Sequence, residues 1–440
     1  IWMDELAYYM ANSDVSPHSG ATDQVTGVQT VSTFTIGFAG ANTPVLTHTA
    51  TAGQGANFEA QDAATLAIAL DNALAQILSW TPLAASTVPT SRQNRASSGT
   101  EVYMAFFGPS SNRSWDGTVK RYNLSQGATA CGQTSYKKSD GSVGQFSPAA
   151  CLTGQSKLAT GYWNIEQSLV DKDNNVSHRI NPEAASFWMP SSFHDGGSPR
   201  RGGTGETLIN STAPSPIGTP DDRKVYTYQA GSNPSTLLTH TQNLLAKGNN
   251  AIKDTTLGAS SDSERAALIN FARGGDPNDS GCASDDPTVP CAVWRTWAHG
   301  SVVHSKPVLV SYASDQRSLF YVTTEGRLHA VNPDNGKERW SFLAEEALPL
   351  LKSMRENLPG EALVVADTPP ALFFHDENRD GQINRGDGDR VYVYFGQRRG
   401  GSAYYALDVT DPDDPRFMWK IIGGKGVNNA GLHCEGEKSC

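Results

Sequence analysis

Several things are scarce in this chain, and each scarcity removes a class of function. No apolar run approaches the eighteen or so residues that a bilayer-crossing helix needs, so the sequence offers no transmembrane candidate. Basic residues are outnumbered, 35 against 45 acidic, and a formal charge of −10 argues against a nucleic-acid grip. There is no CxxC for a zinc or redox motif, and neither GxSxG nor HExxH to anchor a hydrolase. The glycine-rich stretch Gly202–Thr207 lacks the lysine of a phosphate-binding loop. The opening IWMDELAYYM has neither the charged start nor the cleavage site of a secretory leader, so further sequence is expected upstream.

What is present points to an extracellular β-rich protein. The 440 residues exceed the size at which one core usually stops growing, which argues for at least two domains, and 42 Gly with 24 Pro suit many strands joined by turns. The six cysteines fall as three close pairs, Cys131/Cys151, Cys282/Cys291 and Cys434/Cys440, in polar loops. Local disulfides in an oxidising compartment explain that distribution better than metal ligation does.

The most informative stretch is DENRDGQINRGD, Asp376 to Asp387, between the apolar run ALFF and the β-rich run RVYVYFG. Oxygen side chains recur at every second position in Asp376, Asn378 and Asp380, and Gly381 follows where a tight turn is needed. In the calcium-loop pattern Gln382 gives its backbone carbonyl, Ile383 points into the core, Asn384 binds directly or through water, and Asp387 closes the loop. The flanks read as strands, so the sequence predicts a Ca2+ loop set in a β-protein and not a helix–loop–helix sensor. Asp171, Asp173 and Asn175 alternate in the same way but lack the glycine turn, and read as a solvated acidic loop.

Along the chain, residues 1–82 read as part of an α/β domain. A helix end near Met3–Met10 precedes the β-rich run Val31–Gly40, and a second helix follows, capped by Asp62 and striped by Leu66, Leu70, Leu74 and Ile77 or Leu78. Residues 83–100 have the composition of a linker. From 101 to 440 a hairpin plan recurs: a β-rich run, glycine or serine, then an alternating strand ending in Asn or Asp. Its copies align as Gly117–Val119–Tyr122–Asn123, Gly326–Leu328–Val331–Asn332 and Ser402–Tyr404–Leu407–Asp408, and the last two lead to Trp340 and Trp419. Repeats of that kind predict propeller blades, with an ordinary antiparallel sandwich as the alternative. Long polar insertions, about 125–300, separate the first two copies and were expected on the rim, with helices near Leu237–Lys247 and Ser263–Arg273.

A family resemblance gathers these observations. TFTIGFAG and the helix after it resemble the closing strand and last helix of a von Willebrand factor A domain, without that family's metal-binding Asp-x-Ser-x-Ser turn. Then FGPSSNRSWDGTVKRYNL, DDRKVYTY, WRTWAHGSVVHSKPVLV, SLFYVTTEGRLHAVNPDNGKERWSF and RVYVYFGQRRGGSAYYALDVTDP resemble the PilY/PilC family of type IV pilus tip proteins. The fold implied is mainly β: a modified β-propeller with quinoprotein-like blades, incomplete in this chain, preceded by the C-terminal half of a von Willebrand factor A-like α/β domain. The family's calcium ligands fall on Asp376, Asn378, Asp380, the Gln382 carbonyl and Asn384, with Asn384 in place of a usual aspartate and Asp387 optional.

The resemblance also implies a non-enzymatic protein at the cell surface, reached through the periplasm. Its expected partners are minor pilins at the pilus tip and a host or abiotic surface receptor, with roles in pilus extension, adhesion and twitching motility. Two other readings compete: a quinoprotein-type dehydrogenase, which should carry an adjacent Cys–Cys pair, and a secreted lectin-like propeller unrelated to pili. Histidines 299, 304 and 329 lie near the repeat and are expected to be buried hydrogen-bonders. The tripeptide Arg385-Gly386-Asp387 is expected to be structural, with Arg385 solvated.

Overall fold

A computed structural model describes residues 3–13, 31–39, 44–63, 101–123, 186–189, 195–209, 217–229, 235–314 and 316–423, with short pieces at 65–66, 69–70, 73, 85–87, 135–137, 143–145 and 432–435. The chain forms two compact units, Ile1–Thr81 and Pro82–Cys440. Cys131, Cys151 and Cys440, the acidic alternation at 171–175, Leu74, Ile77, Leu78 and most of the linker lie outside the described residues.

The first unit contains helix α1 (Met3–Asn12), strand β1 (Thr35–Phe38), helix α2 (Pro44–Ala52) and strand β2 (Asn57–Ala60). β1 and β2 pair in parallel from Thr35↔Asn57 to Phe38↔Ala60, so α2 is the crossover that parallel strands require. Neither α2 nor β2 was expected from the sequence. Asp62 caps a further helical turn, accepting from the Thr65 amide at 2.8 Å, as expected. The stripe differs: Ala69 and Ala73 are buried, whereas Leu70 is 47% exposed. Ala7, Ala11, Ala50 and Ala60 are buried too. Small side chains let backbones approach closely, and an apolar stripe read from leucines alone misses such a face.

The second unit is built from open sheets, none closed into a barrel. β3 (Ala85–Thr87), β4 (Glu101–Gly108) and β5 (Asp116–Asn123) form one antiparallel sheet, and β6 (Ser135–Lys137) pairs with β7 (Val143–Gln145). β8 (Val225–Tyr226), β9 (Val308–Ser311), β10 (Arg317–Thr323), β11 (Arg327–Val331) and β12 (Glu338–Leu343) form a second sheet in the order β8-β12-β11-β10-β9. A third runs in sequence order through β13 (Ala371–His375), β14 (Arg390–Gly396), β15 (Ala403–Asp408), β16 (Arg416–Gly423) and β17 (Leu432–Glu435).

The second and third sheets carry the repeat in register. Trp340 lies opposite Ala330 and Trp419 opposite Ala406, and each sheet has an irregularity one residue further, at Ala330/Val331 and Ala406/Leu407. Small alanines leave room for the opposing indoles. A large apolar cluster joins these two sheets through Phe320, Trp340, Phe342, Val393, Phe395 and Tyr405. On its other side the second sheet meets the first through Leu319, Tyr321 and Val331 against Tyr103, Ala105 and Val119. Three β-layers are thus stacked through two apolar interfaces.

The described part of the long insertion is not a loose polar loop. Helices α3 (Gly203–Ile209), α4 (Asp254–Leu257), α5 (Asp262–Arg273) and α6 (Ser280–Ala283) precede β9, and α7 (Leu351–Glu356) follows β12. Leu257, Leu268, Ile269 and Ala272 build a separate core with Leu348, Leu351 and Met354. α5 begins where expected, its Ser261 cap accepting from the Glu264 amide at 3.1 Å, and ends at Gly274 with φ +108°. The helix expected over Leu237–Lys247 is absent. Only Thr241–Asn243 makes a 3-10 turn, because the Asn243 side chain bonds the Ser235 and Leu237 carbonyls and the Leu245 amide goes to Val225 of β8. Cys282 and Cys291 form the expected disulfide. Among the described residues no helix is long and apolar enough to cross a membrane.

Candidate metal centre

The alternating oxygens of the 376–387 loop fold into a chain of side-chain-capped turns between β13 and β14. The Asp376 carboxylate accepts from the amides of Arg379 (2.7 Å) and Gly381 (3.0 Å). Asn378 Oδ1 accepts from the Asp380 amide at 3.0 Å, and Asp380 Oδ1 from the Gln382 amide at 2.8 Å. Asn378 and Asp380 thus bond their own backbone two residues on, as short polar side chains do in turns, while Asp376 reaches three and five residues on. Gly381 has φ +81°, a backbone region that favours glycine, as the sequence pattern required. Arg379, also left-handed at φ +59°, was not foreseen.

At the loop exit Asn384 and Asp387 meet. Asn384 Nδ2 donates to Asp387 Oδ2 at 2.9 Å, while Asn384 Oδ1 accepts from the Gly386 amide at 3.0 Å. Ile383 is 1% exposed, as expected of the inward position. Its amide donates to the Ser311 carbonyl at 3.3 Å and its carbonyl accepts from the Ala313 amide at 3.0 Å. The loop therefore reaches across from the third sheet to the end of β9 in the second.

Two supports of the loop were not legible beforehand. Asp389, fully buried, accepts from the Glu377 amide at 2.9 Å and the Asn384 amide at 2.8 Å, tying the loop's start to its end. Arg385, expected to be solvated, instead makes two bonds to the Asp408 carboxylate on β15, at 3.1 and 3.0 Å. Burial would raise Asp408, but the Thr410 hydroxyl and Arg385 hold its carboxyl below the usual range. The aspartate immediately before a β-rich run was the one available signal for Asp389.

The donor set suits a hard cation. It combines the Asp376 and Asp380 carboxylates with amide oxygens and the Gln382 carbonyl, a mixture that calcium accepts at six to eight positions. Among the described residues no three His, Cys, Asp or Glu side chains gather as a metal site. Asn378 Nδ2 donates to Asp380 Oδ2 at 3.2 Å, a bond that a cation would replace.

The histidines near the repeat do structural work. His299 and His329 stack 4.8 Å apart, both buried, with His299 Nε2 2.9 Å from the Tyr321 hydroxyl. His329 Nδ1 donates to Glu338 at 2.7 Å, and Glu338 also receives Arg223 at 2.7 and 3.0 Å. Burial alone would push Glu338 up, yet the Arg223 charge and the His329 bond hold it well below the carboxylate range. Burial lowers His329 to about 4. His304 differs from expectation, its side chain being 40% exposed while Nδ1 bonds the buried Asp367 at 2.8 Å. Arg398 is half-exposed and lies 3.8 Å from the same carboxylate.

No protein-family model matches the chain. A curated protein from Xylella fastidiosa, described as a type IV pilus biogenesis factor PilY1 homolog, is 27% identical over 193 aligned positions, taking in 37% of this chain and 15% of that protein. The chain thus matches only a small part of that relative's length. A solved structure, the Pseudomonas aeruginosa PilY1 C-terminal domain, matches at 22% identity over 24% of this chain and 18% of that one, with a TM-score of 0.17, too low to carry an argument about fold. In sequence, the chain is similar to PilY1-type proteins.

Proposed function

We propose that this chain is part of a type IV pilus biogenesis factor whose 376–387 loop binds Ca2+. The observation that carries the calcium reading is the loop itself: three consecutive side-chain-capped turns, a left-handed Gly381, and Ile383 anchored on the neighbouring sheet. Asp376, Asn378, Asp380, the Gln382 carbonyl and Asn384 would hold the ion, and Asp387 would orient Asn384 by accepting from its side-chain amide. Calcium would neutralise the Asp376 and Asp380 charges in one turn and so fix the bridge between the second and third sheets. The matching registers of Trp340 and Trp419 favour reading those sheets as successive blades of a β-propeller. The parallel β1–β2 pair with its α2 crossover favours a von Willebrand factor A-like first unit.

The similarity to the Xylella protein supports a pilus-associated place for this protein, and the family resemblance of its motifs implies the pilus tip, with minor pilins as partners. Surface adhesion and twitching motility follow on that reading, through loops presented by a rigid β-scaffold, and no catalytic role is assigned. The experiment is to shear pili from the source bacterium and from an in-frame deletion strain. Peptides of this protein in the sheared fraction, with fewer pili in the deletion strain, are expected. Unchanged pilus number together with absence of the protein from that fraction would refute the pilus role.

A further inference from the structure

Away from the metal loop, the β11–β12 turn and the segment before β8 enclose a cleft of about 280 Å3. In a chain with a formal charge of −10, its walls include Arg223, Lys224, Lys337 and Arg339. The three carboxylates beside them are already engaged. Glu338 is held by Arg223 and His329. Asp222 accepts from the Thr219 amide at 2.9 Å and its hydroxyl at 2.8 Å, which, with little opposition from burial, lowers its carboxyl. Asp413 receives Arg339 at 3.2 Å.

Four cationic side chains stand against three carboxylates in the lining, and among its other side chains donors predominate. Asn332 Oδ1 is taken by the Asp334 amide at 2.9 Å and Asn335 Oδ1 by the Lys337 amide at 3.0 Å, so each asparagine retains its NH2. Arg339 Nε is buried and has no partner. Neither Lys224 nor Lys337 has a carboxylate within ion-pair distance among the described residues. A buried donor without an acceptor is costly, and an excess of donors with positive charge is satisfied by one kind of ligand, an acceptor-only anion. Among the described residues no aromatic side chain lines the cleft. Its volume lies just under the range of about 300–1,000 Å3 typical of small-molecule sites, enough for one oxyanion and part of the group that bears it.

We propose that this cleft binds an oxyanion, a phosphate, sulfate or carboxylate group, with Lys224 and Lys337 as its charged donors and Asn332 and Asn335 as the supporting ones. The site is independent of the calcium reading, since it shares no residue with the loop. Phosphate, sulfate and glucuronate are titrated separately into the full chain by calorimetry, in calcium-free buffer at constant ionic strength set with chloride. Saturable binding of at least one anion is expected, and the tightest of the three identifies the group. Lys337→Gln and Lys224→Gln should each weaken it about tenfold or more. Lys352→Gln, a half-exposed surface lysine paired with Glu264, should leave it unchanged. No saturable binding of any of the three anions would overturn the assignment. Equal binding by wild type and the Lys224→Gln/Lys337→Gln double variant would overturn it as well.

Discussion

Replacing Glu338 by glutamine is the sharpest test of how the stacked sheets are held. The carboxylate sits on β12 with its side chain 2% exposed and receives Arg223 Nε and Nη2, the Arg223 side chain being 0% exposed. It also receives His329 Nδ1. Glutamine keeps the volume but removes the charge and one acceptor, and brings an NH2 against guanidinium donors. Arg223 would keep one side-chain oxygen and the Arg273 carbonyl, at 3.3 Å, but no counter-charge, and cannot shed its proton. Removing one partner of a buried pair typically costs about 3–5 kcal/mol, a large share of a stability of about 5–15 kcal/mol. Urea unfolding followed by fluorescence of buried Trp188 and Trp340 measures it, with an unchanged m-value as the check on two-state comparison. Replacing both partners with Arg223→Met and Glu338→Leu should recover part of the loss, because no uncompensated charge remains. A Glu338→Gln loss below about 1 kcal/mol would refute the reasoning.

Three further outcomes follow from the same packing. His329 is lowered by burial to about 4 from an ordinary 6.5, so the unfolded chain binds the extra proton first as acid is added. Its contribution should be complete above about pH 6.5 and lost between there and pH 4, by up to about 3 kcal/mol; His299, lowered well below its ordinary value by burial, acts in the same direction. A flat urea midpoint across that window would contradict the burial of both rings. Cys282→Ser should cost about 2–3 kcal/mol by freeing the short loop to Cys291, read as a urea midpoint lower than that of the wild type without reductant. Asp389→Asn should loosen the 376–387 loop without removing an expected calcium ligand, seen as faster exchange of the Glu377 and Asn384 amides; unchanged exchange would remove Asp389 from its clamping role.

The repeat was legible because its signal is local. A hairpin's alternation and its Asn or Asp stop lie within a few residues, so Trp340 and Trp419 could be aligned before their registers were seen. The turns at Asp376, Asn378 and Asp380 were legible for the same reason: each side chain bonds an amide a few residues away. What stayed hidden depends on partners far along the chain. Arg385 finds Asp408, Lys120 finds Asp195 at 3.3 Å in a fully buried pair, and Arg223 finds Glu338, none of which leaves a periodic trace. The alanine face of the first unit was missed because leucines were taken as the marker of burial, and Leu70 is exposed there. In the insertion, Asn243 favoured turns over the helix that the surrounding leucines suggested.

Calcium titration of the full chain, paired with melting curves, tests most directly whether the 376–387 loop is a metal site that ties the two sheets together. The expected result is one site in wild type and none in Asp380→Ala. At calcium about a hundredfold above Kd the linkage is about 2.7 kcal/mol, a rise in Tm on the order of 5 °C over the melt in chelator. No heat of binding in wild type, with melting curves that superimpose in calcium and in chelator, would contradict it.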